Sequence, residues 1–263
     1  EVGYFGPQLV QNGDFSQEGS ELVTNGDFAT DSGWSKGTGW SISGGKLLSS
    51  NSAQYVSVNQ SVIGITLGKT YKATINVNSI NGGYIVKFGS SGSVYSLSLG
   101  LNTINAVWDG TNDGLAIYNN TSSSGTISID NISVKEVGQD WTLGSGWSIG
   151  ENKAILNGDG SFQPIRSTSV ISNGSNVKAK ISVSNLSGIL KIGFIGGTSI
   201  QINQNGVFEA NFTANGGDFY VSRNSGVVTA EITNISVIEI IGDKPRIDYS
   251  DSSTEPSLLL EPQ

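Results

Sequence analysis

Along most of the chain, apolar and polar residues take turns with a period of two. Ala73, Ile75 and Val77 alternate with Lys72, Thr74 and Asn76, and Ala179, Ile181 and Val183 alternate with Lys178, Lys180 and Ser182. Thr126–Ile129 and Leu97–Leu99 keep the same rhythm. A period of two puts successive side chains on opposite faces, so these segments predict half-buried β-strands. No segment holds an apolar stripe at helical spacing for three turns. Gly44-Gly45, Asn81-Gly82-Gly83, Gly196-Gly197, Asn205-Gly206 and Asn215-Gly216-Gly217 punctuate the strands. Such pairs suit hairpin turns, which need positive φ.

The pattern repeats. Residues 34–46 read WSKGTGWSISGGK and residues 141–153 read WTLGSGWSIGENK, an offset of 107. Ala73–Val77 matches Ala179–Val183 at an offset of 106, and Asp130–Val134 matches Thr233–Val237 at an offset of 103. Three collinear matches with a slowly drifting offset indicate two copies of one unit. The apolar phase slips by one residue at Asp130-Asn131, between Ile127/Ile129 and Ile132/Val134, and again at Thr233-Asn234. A slip of one in a strand predicts a bulge or a strand break, here built into both copies. About eight short strands per copy predict an all-β chain of two tandem antiparallel β-sandwich (jelly-roll) domains, residues 22–137 and 138–241. Leu9–Phe15 echoes Leu22–Phe28 through a shared Asn-Gly-Asp-Phe, yet no body follows it directly, and the second copy lacks the element. Residues 1–21 therefore read as an N-terminal arm or partial repeat. Residues 242–263, polar and then ending in Leu258-Leu259-Leu260, read as an extended linker.

Composition narrows the chemistry. The 263 residues include 36 Gly, no His, no Cys and no Met. Without His or Cys there is no Ser-His-Asp or Cys-His catalysis, no His or Cys zinc site and no disulfide. A net charge of −8 argues against nucleic acid as a partner. No apolar run of about 18 residues suggests membrane insertion. The acids are scattered, with no recurring pair to divide general acid from general base, so the chain is expected to be no enzyme. The absence of Met is read as a processed or partial polypeptide.

An opening Leu-Val-x-Asn-Gly-Asp-Phe at Leu22–Phe28, Gly39-Trp40, a Tyr-x-Ala-x-Ile-x-Val strand at Tyr71–Val77 and a closing Ile-Asp-Asn-Ile-Ser-Val at Ile129–Val134 resemble carbohydrate-binding modules of families four and nine. The resemblance implies a galactose-binding-like jelly roll that binds glycans or cell-surface polysaccharide. It also implies a structural calcium, held in part by an acid just after the opening Phe and an Asp near the final strand. Ala29 stands at the first of these positions, while Asp130 is present in the first copy and Thr233 replaces it in the second. Asp130 is thus the candidate metal ligand, and no other cofactor is expected. Residues 245–249 and 256–263 resemble a segment of tail or fibre proteins of marine bacteriophages. That resemblance implies a structural or adhesive segment of a viral tail or head fibre, at a virion surface or in an extracellular setting. It also implies other virion proteins as partners and a homo-oligomer, trimeric as in many fibres. The alternatives are an appendage of a secreted polysaccharide-degrading enzyme and a bacterial surface adhesin or filament.

Sugars stack their apolar faces on exposed rings. Trp34 and Trp141 recur at equal places, and packing and platform both fit them. Trp40 and Trp147 read as core. Outward positions on strand 115–118 and its counterpart differ between the copies. Tyr118 beside Asn120, and Tyr220 near Arg223, are the candidate rings with amide or guanidinium donors.

Overall fold

The computed structural model describes residues 5–62, 64–89, 93–108, 114–158, 160–168, 171–241, 246–248 and 257–259. Regular structure among them is all strand, arranged as antiparallel sheets in two tandem β-sandwich modules. Among the described residues no helix is long and apolar enough to cross a membrane. Compact units divide the chain as Phe15–Gln139 with Ser148–Ala154, called here the first module, and Glu1–Asp14 with Asp140–Trp147 and Ile155–Gln263, the second.

The first module sandwiches its core between two sheets. One runs Gly100–Val107, Thr70–Asn81, Gly125–Val137, Lys46–Ser52, Trp40–Ser43, with Glu18–Glu21 also paired to Gly125–Val137. The other runs Ser35–Lys36, Ser57–Ser61, Gly114–Asn119, Tyr84–Phe88, Val94–Ser96. The expected alternation sets the core: Tyr71, Ala73, Ile75 and Val77 face Val58, Val86, Leu115 and Ile117 inward, and all are buried. The phase slip is a bulge. Ile129 pairs with Val77 and Asn131 with Asn76, which leaves Asp130 as the extra residue. In the second module Ile232 pairs with Val183 and Asn234 with Ser182, so Thr233 is extra in the same way.

The second module reuses the plan with fewer breaks. Asn176–Phe194 and Phe219–Ile240 are continuous strands of 19 and 22 residues. The first module divides each of the matching stretches into two strands, Thr70–Asn81 with Tyr84–Phe88 and Gly114–Asn119 with Gly125–Val137. Beyond the sandwich, Arg246–Asp248 pairs with Ser257–Leu259, a short hairpin within the stretch expected to be linker. Leu260 lies outside the described residues.

The N-terminal echo has its body after all, more than 120 residues later in sequence. Phe5–Gln8 pairs antiparallel with Phe219–Ile240. From there, three sets of contacts of residues 8–13 in the second module copy those of residues 21–26 in the first. The Leu9 N–H donates to the Val237 carbonyl at 2.8 Å as Leu22 does to Val134 at 3.0 Å. The Gln8 carboxamide accepts from the Val237 N–H and the Ser236 hydroxyl, as the Glu21 carboxylate accepts from Val134 and Ser133. The Ile235 N–H donates to the Gly13 carbonyl at 2.8 Å, and the Ile132 N–H to Gly26 at 2.9 Å. A Cβ on Gly13 would sit 1.9 Å from the Ile235 carbonyl oxygen, and one on Gly26 2.1 Å from that of Ile132, so only glycine fits. Asn12 and Asn25 are left-handed, with φ of +48° and +51°, a conformation Asn tolerates. The opening element of the second module is thus separated from the rest of it by the chain of the first.

On each module one carboxylate neutralises two lysines. Glu18 bridges Lys72 at 2.9 Å and Lys135 at 3.0 Å, and Glu209 bridges Lys178 at 2.8 Å and Lys180 at 3.3 Å. Hydrogen bonds from Lys72 and then Lys135 hold the Glu18 carboxyl below its ordinary pKa of 4.5. A group with a depressed folded pKa stabilises above its unfolded value, and that contribution fades as pH falls through the folded one. Glu18→Gln should therefore cost no more than about 1 kcal/mol, because the bridge is a third exposed. Paired chemical denaturation should show this difference at pH 7 and none well below pH 4.

Candidate functional site

Buried Trp40 and Trp147 organise one loop in each module. The Trp40 Nε1–H donates to the Val56 carbonyl at 3.1 Å, and the Trp147 Nε1–H to the Gln163 carbonyl at 2.9 Å. The Gly37 N–H bonds the Ser57 carbonyl at 2.9 Å, and the Gly144 N–H that of Pro164 at 3.1 Å. The two loops match residue for residue at the offset of 107, and each carries a large aromatic at the same place. Tyr55 is 66% exposed and Phe162 is 53% exposed. Tyr55 is held at φ +64°, its N–H bonded to the Asn119 carbonyl at 2.9 Å. That is a costly conformation for a bulky side chain, about 1–2 kcal/mol, and outliers of this kind concentrate at functional sites.

Each exposed ring rests on a tyrosine of the central strand. The Tyr55 and Tyr118 centroids are 6.1 Å apart with planes at 58°, and those of Phe162 and Tyr220 are 6.4 Å apart at 70°. The supporting position is not conserved between modules: Ala116 corresponds to Tyr220, and Tyr118 to Ser222. What recurs is the exposed ring with an aromatic beneath it. Around Tyr118 the outward rows are Asn59–Ala116–Lys87 and Ser57–Tyr118–Ile85. Around Tyr220 they are Arg166–Tyr220–Gly193 and Ser222–Lys191.

Polar residues brace these loops. Gln54 Nε2 donates to the Asn120 carbonyl at 3.1 Å, and Arg223 Nε to the Ser161 carbonyl at 2.6 Å. Asn120 and Arg223 thus lie at the predicted faces, where they tie down the residue preceding each exposed ring. Buried Asn119 donates through its amide to the Ser52 and Ser123 carbonyls and accepts from the Thr121 N–H, which fixes the turn after Tyr118.

Two expectations need correction. Trp34 and Trp141 are 6% and 1% exposed, so neither ring offers a sugar a face. Their Nε1–H groups reach inward to the carbonyls of Asn25 at 3.1 Å and Asn12 at 2.9 Å, which the left-handed Asn backbones turn toward them. Tyr220 is on the expected face, but at 4% exposed it is the support and Phe162 is the open ring. Tyr55 and Phe162 were missed. The signal was available: carrying the Trp40/Trp147 alignment 15 residues forward lands on an aromatic in both copies.

The calcium implied by the resemblance does not fit here. Ala29 offers no side-chain ligand, and the Asn25 amide already donates to the Thr30 and Ser32 carbonyls of that loop, both at 2.7 Å. Asp130 is half-buried in its bulge. No group of three or more Asp or Glu side chains placed to hold a metal ion gathers among the described residues.

No protein-family model matches the chain, and no curated protein matches it. Solved structures with a similar trace include the tandem CBM22 domains of Xyn10C from Paenibacillus barcinonensis, 11% identical, covering 85% of this chain and 98% of that one, TM-score 0.34. A family 29 carbohydrate-binding module is 17% identical over 45% of this chain and 85% of its own, TM-score 0.32. A fucolectin from striped bass serum, Morone saxatilis, is 12% identical over 85% of this chain and all of its own, TM-score 0.28. Similarity at this level assigns no ligand to this chain.

Proposed function

We propose that each module is a non-catalytic polysaccharide-binding unit, holding a glycan chain against the outer face that carries Tyr55 and Tyr118 in the first and Phe162 and Tyr220 in the second. One observation carries the reading. A ring more than half exposed stands at the same place in both copies, backed each time by a tyrosine supplied from a different position. Packing needs account for the buried tryptophans. They do not account for keeping an aromatic in water twice, once on a strained backbone. A sugar's C–H face removes such a ring from water, while the half-buried Asn59 and Ser57 along the first module's rows offer hydrogen bonds to hydroxyls. The setting we propose is an extracellular surface assembly of the viral-fibre kind. Its support is the sequence resemblance of residues 245–249 and 256–263 alone.

Affinity electrophoresis through gels containing soluble polysaccharides tests the binding. Tyr55→Ala or Phe162→Ala should each weaken retardation at the altered face by about 5–30-fold, as expected for about 1–2 kcal/mol of stacking. Unchanged mobility of both variants in every gel that retards the wild type would overturn the reading.

A further inference from the structure

We infer that the second module's face selects an acidic polysaccharide, with Arg166 and Lys191 meeting its carboxylate or sulfate groups. The inference rests on the glycan-binding reading and names its ligand class.

The two faces share a plan but differ in charge at matched positions. Arg166 stands cross-strand from Tyr220, where the first module pairs Asn59 with Ala116. Lys191 stands cross-strand from Ser222, where the first module pairs Ile85 with Tyr118. Two uncharged positions have thus become cations on the strands flanking Tyr220, while the single cation of the first module's rows, Lys87, is Gly193 here. Arg223 adds a third positive charge beside them, its Nε held on the Ser161 carbonyl.

The chain as a whole is acidic, with 22 Asp and Glu against 14 Lys and Arg. Lysines nearer the start of the same long strand are neutralised locally, Lys178 and Lys180 both by Glu209. The outward rows around Tyr220 (Thr142, Arg166, Gly193, Ser199; Ser222, Lys191, Gln201) contain no acid. Among the described residues neither Arg166 nor Lys191 forms an ion pair, and the Arg166 Nε is buried without a hydrogen-bond partner. Cations without a counter-charge, gathered beside an exposed ring on an otherwise acidic protein, are complementary to a sugar bearing an anionic group. A guanidinium suits carboxylate and sulfate through paired N–H donors, and an ammonium acts as a movable point charge beside it.

The test is binding of the full chain to polygalacturonate against neutral galactan, and to dextran sulfate against dextran, by isothermal titration at roughly 0.05 and 0.5 M salt. Polyanion binding should exceed neutral binding by about tenfold or more at low salt and lose most of that advantage at high salt. The pair of polymers that shows the preference tells carboxylate from sulfate. Lys191→Glu should lower polyanion affinity by about tenfold and leave neutral binding within roughly twofold, with Lys191→Ala falling between. Equal affinity for charged and neutral polymers, or equal losses on both in Lys191→Glu, would overturn the acidic selectivity. If neutral polymers bind as tightly as charged ones and the Tyr55→Ala, Phe162→Ala double variant loses that binding, the general reading stands while this one falls. If no polymer binds, both fall.

Discussion

Deleting residues 1–14 should unfold the second module and leave the first folded. The deletion removes the strand partner of Phe219–Ile240, the bond from Leu9 to Val237 and the carbonyl that receives the Ile235 N–H. It also strips buried Val10 from the core and leaves the Trp141 indole N–H without its Asn12 acceptor. A fully buried Val contributes about 1.5–3 kcal/mol. An orphaned buried donor costs about 1–3 kcal/mol. With the lost ladder added, the total approaches the whole stability of a small domain, about 5–15 kcal/mol. Calorimetry of the intact chain and of the truncated one should show the loss of one module's transition and an unshifted transition for the other. A synthetic peptide of residues 1–15 added back should restore the missing transition in a concentration-dependent way. Gly13→Ala should reproduce the defect in the second module, and Gly26→Ala should transfer it to the first, because each Cβ would collide with a backbone carbonyl. Two intact transitions after deletion would show that residues 5–14 decorate the module without completing it.

The sandwich architecture was readable because alternation, phase slips and paired tryptophans are local signals, each decided within a few residues. Asp130 and Thr233 show this well: a single out-of-phase residue announced a bulge in both copies. The partner of Leu9–Phe15 was not readable. Its echo of Leu22–Phe28 was plain, but its bonds to Val237 and Ile235 span the whole first module, and nothing local marks a contact at that separation. Trp34 and Trp141 were ambiguous because a repeated tryptophan serves packing and stacking equally well in sequence. The carbonyls of Asn25 and Asn12 that capture their indole N–H groups appear only once the left-handed turns are formed. Tyr118 and Tyr220 stand out in sequence because they differ between copies, whereas the exposed rings, Tyr55 and Phe162, lie at matched places. Recurrence between copies therefore accompanies exposed rings as well as buried ones.

The Tyr55→Ala, Phe162→Ala double variant should lose polysaccharide binding far beyond either single change. Each single variant keeps one complete face, and a polymer with many repeating sugars still finds it. The double variant keeps neither stacking ring, so the loss should reach about 100-fold or more. Both rings are more than half exposed, so their removal opens no core cavity and the melting profile should stay close to that of the wild type. That pairing of intact fold with absent binding separates a recognition role from a structural one. The most direct test is a single titration series: wild type, both single variants and the double variant against the polysaccharide that the wild type binds best, with thermal unfolding of each sample recorded alongside. Stepwise loss of affinity to background at constant stability is the predicted result. Full affinity in the double variant would contradict the claim that these two rings hold the ligand.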